Sequence, residues 1–147
     1  MLTSIMHKYH KFKDRRALIM DVKNVVNELC GYLSGFITEG KAWLRKVVLD
    51  SPVEYIHLVN VKCSHAEYLK SEVERMEIRI RVDSKNDGLL HTALQDFSTL
   101  VKHICDFAKS TINVVPYSKI DEFYKFTYQT HKHILNTITD RYYNQAT

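Results

Sequence analysis

The sequence predicts a mainly α, four-helix-bundle-like single domain over residues 1–147, with 1–16 forming a basic N-terminal segment. Three observations carry that expectation. Apolar residues recur three and four apart over several long stretches, the spacing that gathers side chains on one face of a helix. Only four glycines and two prolines punctuate the chain, which favours long elements joined by few turns. Two of the stretches are about 25 residues each, roughly 38 Å as helix, and helices of that length need equally long partners to bury their stripes.

Leu18, Val22, Val25, Leu29, Tyr32 and Phe36 repeat at 4-3-4-3-4, with Val26, Leu33 and Ile37 beside them. They predict a first helix from about Asp14 to Thr38, extendable back through Ile5, Tyr9 and Phe12. Gly31 and Gly35 would let another backbone approach, and Gly40 reads as the helix stop. Lys41 to Leu49 is a short apolar piece with Trp43, Leu44, Val47 and Val48. Next comes a helix-start signal: Ser51 as N-cap, Pro52 in the first helical position and Glu54 completing a capping box.

Residues 52–82 support two readings. As one helix, Tyr55, Val59, Ala66, Leu69, Val73, Met76 and Ile80 keep heptad register, broken at Lys62, with Glu77 and Arg81 spaced for an i,i+4 ion pair. As an α+β alternative, strands near 54–63 and 76–82 would pack against the long helices. Tyr55–Cys63 is rich in β-branched residues, and Met76 to Val82 alternates apolar with polar. The length of the partner helices favours the bundle.

Asp83 to Gly88 is a turn, with Asp87 the expected N-cap of the helix 88–112. There Leu90, Leu94, Phe97, Val101, Ile104, Ala108 and Thr111 form the most regular stripe in the chain, widened by Leu100 and Phe107. Pro116 closes the next connection. Ser118 and Asp121 open the last helix, 117–143, whose inward stripe is Ile120, Phe123, Thr127, His131, Ile134 and Ile138.

Charge is concentrated in one place. The formal net charge is +4, and residues 7–16 carry all of it, leaving the other 137 residues balanced at sixteen of each sign. Lys8, Lys11, Lys13, Arg15 and Arg16, interleaved with Tyr9 and Phe12, could neutralise phosphates while the rings stack on bases. The competing reading is a solvated helix start, although cations oppose the dipole at a helix N-terminus. Three cysteines far apart, an N-terminus without a signal-peptide run and the lack of a membrane-length apolar stretch are expected of an intracellular protein, cytoplasmic or nuclear. The alanine-poor, Lys/Asn/Ile/Tyr-rich composition fits an AT-rich genome such as a virus or phage.

The second candidate site is aromatic. Seven of the sixteen aromatic residues fall in 117–143, too many and too widely spread in angle for one core stripe. Tyr117, Tyr124, Phe126, Tyr128, Tyr142 and Tyr143 are therefore the candidate protein interface, where exposed aromatics are enriched. The competing reading is tyrosines lying flat on the surface with hydroxyls in water.

Other constellations are weaker. His7/His10, His131/His133 and Glu54/His57 have ligand-like spacing, but a di-iron site needs the Glu-x-x-His motif twice and a zinc site lacks paired cysteines. No metal and no cofactor is expected. Gly35 to Ala42 nearly matches a phosphate-binding loop, yet Ala42 replaces the Mg²⁺-binding hydroxyl and a helix, not a strand, precedes it. No catalytic residue is assigned, because no nucleophile–base spacing or carboxylate pair stands out, and no small-molecule substrate is evident. The leading expectation is a non-enzymatic interaction module that binds a protein partner or itself through the aromatic C-terminal helix. The alternatives are a nucleic-acid-binding protein using 7–16 and, more remotely, a small helical enzyme.

Overall fold

The four predicted amphipathic stretches form four helices that meet along their apolar stripes. In the computed structural model, which describes residues 2–46 and 51–143 with the side chains of 2–13 excepted, these are α1 (Leu2–Lys46), α2 (Val53–Asp83), α3 (Asp87–Thr111) and α4 (Ile120–Tyr142). Each helix packs on its neighbour in sequence, and α1 and α4 close the ring, making an up-down-up-down four-helix bundle. The α1–α4 approach is the loosest of the four. There is no strand among the described residues.

The segment 52–82 is helical throughout, so the strands expected as an alternative near 54–63 and 76–82 are not formed. The reason lies in the geometry of the alternation. Two residues along a helix advance roughly 200°, so alternate apolar positions fall on opposite faces. Met76 and Ile80 point into the core, whereas Ile78 and Val82 point outward. The buried row also runs unbroken through Cys63, which takes the place assigned to Lys62.

Gly40 does not stop α1. The helix continues to Lys46, and Gly40 lets α1 pack tightly on α2. A Cβ added there would lie 2.5 Å from the Cys63 sulfur. Gly31, by contrast, has open space around it. The core row of α1 runs through Val26 and Leu33, with Val25 and Tyr32 on its flank. Val47 and Val48 of the predicted short piece lie outside the described residues.

Helix starts are displaced by about one residue from the sequence reading. Pro52, not Ser51, precedes α2, and its carbonyl accepts from Tyr55 and Ile56 without a side-chain cap. Asn86, not Asp87, caps α3, its side chain accepting from the Leu89 amide at 3.0 Å. Asp87 then supplies an acidic group in the first turn, favourable to the helix dipole. The α3–α4 connection is held by the Tyr55 hydroxyl, which donates to the Val114 carbonyl. Asn113 within it has φ 64°, a left-handed conformation that asparagine tolerates.

The predicted α3 stripe is buried at every position, with Phe107 added. Phe36 contacts Phe107 and Tyr117 edge-on at 5.1 and 5.7 Å, and Phe123 stacks on Tyr32 at 5.5 Å. Cys63 and Cys105 are buried and all three cysteines are free. No helix among the described residues is long and apolar enough to cross a membrane.

Candidate functional site

The aromatic residues of 117–143 divide between core and surface. Tyr117 is buried, its ring against Phe36 and Phe123. Phe126 is half-buried and tilts onto Tyr32 at 5.5 Å. Tyr142 stacks on His91 at 4.1 Å, and the Tyr143 hydroxyl lies 3.3 Å from the same imidazole. These three tyrosine and histidine rings close the end of the α3–α4 seam. What α4 leaves toward solvent is Tyr128, next to half-buried Tyr124 and capped by the Lys132 ammonium at 4.6 Å, with Leu135 two turns on.

The larger exposed apolar surface lies elsewhere, on α2. Val53, Val61, Tyr68, Ile78 and Val82 are 75, 46, 60, 56 and 67% exposed. With His57, Ser64, Ser71 and Arg75 between them, also exposed, they form one row at helical spacing on the face opposite the core. Arg75 is the one fully charged member of that row. The row was legible in the sequence as apolar residues left over from the α2 core register, and Ile78 and Val82 are the same residues that suggested a strand.

Of the polyanion candidates, the side chains of Lys8, Tyr9, Lys11, Phe12 and Lys13 lie outside the described residues. Arg15 and Arg16 are described. Arg15 is half-buried and donates to the Ser84 carbonyl at 3.4 Å, at the turn after α2, while Arg16 is exposed. The backbone of 7–16 belongs to α1, so the basic run is helical.

Three open grooves of about 530–540 Å³ each run between neighbouring helices. The one between α2 and α3 holds His65, His103, Glu72 and Asp106. Burial, with Lys62 nearby, pulls the His65 imidazole below its ordinary value, so it is neutral at pH 7, edge-on to Phe107 at 4.9 Å. Among the described residues no nucleophile is hydrogen-bonded to it. His131, whose pKa is lowered chiefly by burial, sits half-buried on α4, and His133 pairs with Asp21 of α1 at 2.9 Å on the surface. His131 and His133 therefore point apart, and among the described residues no three His, Cys, Asp or Glu side chains gather closely enough to hold a metal ion. His7 and His10 lie outside the described side chains. The near phosphate-loop Gly35–Ala42 is unbroken α1 helix, with no loop to cradle a phosphate.

The other two grooves both lie between α1 and α4, one beside His133 and Arg141 and the other, at the Tyr117 end, acidic. Glu28 and Glu39 of α1 face Glu122 of α4 across it, with Tyr32 and Tyr117 in its wall and Lys119 on its rim. Glu39 also accepts two hydrogen bonds from Ser118, from its amide and from its hydroxyl, both 3.0 Å. Burial, with negative charge from Glu39, Tyr32 and Glu122, pushes the Tyr117 phenol up to about 12.

No family profile, no curated protein and no solved structure matches this chain, so its function is argued from its own surfaces.

Proposed function

We propose that the chain is a helical interaction module that pairs with a second copy of itself through the outer face of α2. The observation that carries this reading is the exposed row Val53–Val82, a continuous, weakly charged face on a helix whose opposite face already fills the core. Reversed about Tyr68, the row sets Ser64 against Ser71 and Val53 against Val82, with Val61 facing Arg75 and His57 facing Ile78. An antiparallel copy related by a two-fold axis would set Val53 against Val82 and centre on Tyr68, as an isologous interface requires. The small serines beside Tyr68 let the two helices approach. The aromatic face of α4 offers less, because Tyr117 and most of Phe126 are occupied inside the bundle.

Light scattering after size-exclusion chromatography tests this. A dimer is expected, and Tyr68→Glu or Ile78→Glu should shift it to monomer at unchanged helicity. A monomer at every concentration, or a dimer indifferent to both variants, overturns the reading. A dimer weakened instead by Tyr124→Ala or Tyr128→Ala, by ~1 kcal/mol or more, moves the interface to α4.

A second reading, polyanion binding, is favoured by the continuity of α1 through 7–16, which strings five cations along about three turns of helix. Adding a mixed RNA and DNA oligonucleotide pool to the same experiment tests it. A complex that dissolves with rising salt supports it, and loss of that complex in Lys11→Gln/Lys13→Gln/Arg15→Gln/Arg16→Gln assigns it to the segment.

A further inference from the structure

The α1–α4 groove is acidic in a chain that is basic overall. Its wall holds three glutamates and one lysine, a local net of −2 against +4 for the whole chain. Glu28 and Glu122 have no ion-pair partner among the described residues, and only two of the acceptor positions on Glu39 are used, by Ser118. A second feature is independent of the carboxylates. Tyr117 is 5% exposed, and its hydroxyl, which reaches the groove beside Gly35, has no hydrogen-bond partner among the described residues. A side chain at residue 35 would collide with that hydroxyl, its Cβ falling 2.8 Å from the oxygen. A hydroxyl held by a buried ring at the wall of an open groove can accept a hydrogen bond from a ligand there.

The shape of the groove narrows the ligand. Glu28 and Glu39 lie on one face of α1 eleven residues apart, roughly 16 Å along the axis, and the glutamates do not converge as a metal would need. Between them Gly31 leaves the floor open, the Tyr117 ring lies over Gly35, and the flanking tyrosine rings give the groove apolar walls. Charge at the ends with an apolar, shallow middle suits a flexible chain carrying separated ammonium groups.

We propose that the acidic α1–α4 groove binds a linear polyamine, its ammonium groups on Glu28, Glu39 and Glu122 and its alkyl chain over Gly31 and the edge of the Tyr117 ring. One N–H donates to the Tyr117 hydroxyl oxygen. This site is separate from the α2 face, so it stands whether or not the chain pairs with itself.

Calorimetric titration of spermidine into the full chain at about 0.1 M salt, with magnesium chloride as the control cation, tests the assignment. One spermidine per chain is expected, with Glu28→Gln/Glu122→Gln weakening it by about tenfold or more and Gly31→Leu blocking it. Tyr117→Phe should weaken it several-fold, and Glu67→Gln, outside the groove, should leave it unchanged. Amide shifts of Gly31 and Gly35 on titration locate the ligand without any variant. No spermidine binding, equal binding by the double glutamine variant, shifts elsewhere than the groove, or displacement by magnesium at matched charge each overturns the proposal. Circular dichroism of every variant shows that a loss of binding is not a loss of fold.

Discussion

The Glu39 carboxylate accepts both hydrogens that Ser118 can donate, one from the backbone and one from the hydroxyl, each at 3.0 Å. Ser118 was expected to cap α4 with its own side chain. Instead α1 reaches across and satisfies the chain just before α4 begins, where Lys119 provides no side-chain cap. Glu39→Ala should lower stability by about 1 kcal/mol, the usual cost of a lost cap, and Glu39→Gln by less, since one amide oxygen can still accept. Urea denaturation read by circular dichroism checks the order Ala worse than Gln.

Gly40 and Gly31 should respond in opposite directions to alanine. Either change gains roughly 0.8–1.0 kcal/mol of helix propensity in a helix interior. At Gly31 nothing opposes it, so Gly31→Ala should be stabilising. At Gly40 the new methyl meets the Cys63 sulfur, and overpacking of this kind costs about 1–3 kcal/mol, so Gly40→Ala should be destabilising. Adding Cys63→Ala to Gly40→Ala should recover most of the loss, and a double-mutant cycle measures the coupling.

Tyr117 makes stability depend on alkaline pH. Burial first, and nearby negative charge second, raise its phenol from the ordinary value near 10 to about 12. Between those values the unfolded chain gives up the proton and the native chain keeps it, so unfolding is favoured increasingly. The contribution is complete below about pH 10 and is lost as pH rises toward 12. Tyr117→Phe should reduce the fall in melting temperature over that range. A residual slope remains, because Tyr32, Cys30 and Cys63 are shifted upward as well. At pH 7 the same variant should cost little, since its hydroxyl has no partner among the described residues to lose.

Phe123 and Phe126 are three residues apart on α4, and both rings lie against Tyr32. Phe123 is fully enclosed and Phe126 half-buried. Phe123→Ala should cost about 3–5 kcal/mol, the range for a large core truncation, and Phe126→Ala distinctly less. Comparable losses from chemical denaturation would mean that the ring environments are not as different as their burial indicates.

The sequence reading succeeded where one helix face is apolar and the other is not. In α3 every residue of the stripe from Leu90 to Thr111 is buried, with Ala93, Ser98, Cys105 and Phe107 widening it. It was ambiguous in α2 because that helix is apolar on two faces, and periodicity alone does not distinguish a second surface from a strand. Gly40 misled for a different reason: a glycine ending a helix and a glycine admitting a neighbour look alike until Cys63 is brought opposite it. The aromatic candidates were identified correctly as too many for one stripe, but the excess is absorbed partly by α1, through Tyr32 and Phe36, which no local pattern in 117–143 could reveal. The α1–α4 groove depends on Glu28 and Glu122 meeting across most of the chain, a relation that spacing cannot express.

The loose approach of α1 to α4 divides the bundle unevenly. The other three contacts join helices that follow one another in the chain, so they can form early and locally, whereas the α1–α4 seam requires the first and last helices to meet. That seam is the natural cleavage plane of the molecule. Openings that part the α1–α2 pair from the α3–α4 pair break the two weakest contacts, so the amide protons of the two pairs should exchange separately, and whatever enters between Glu28 and Glu122 would act as a clasp on the last step of assembly.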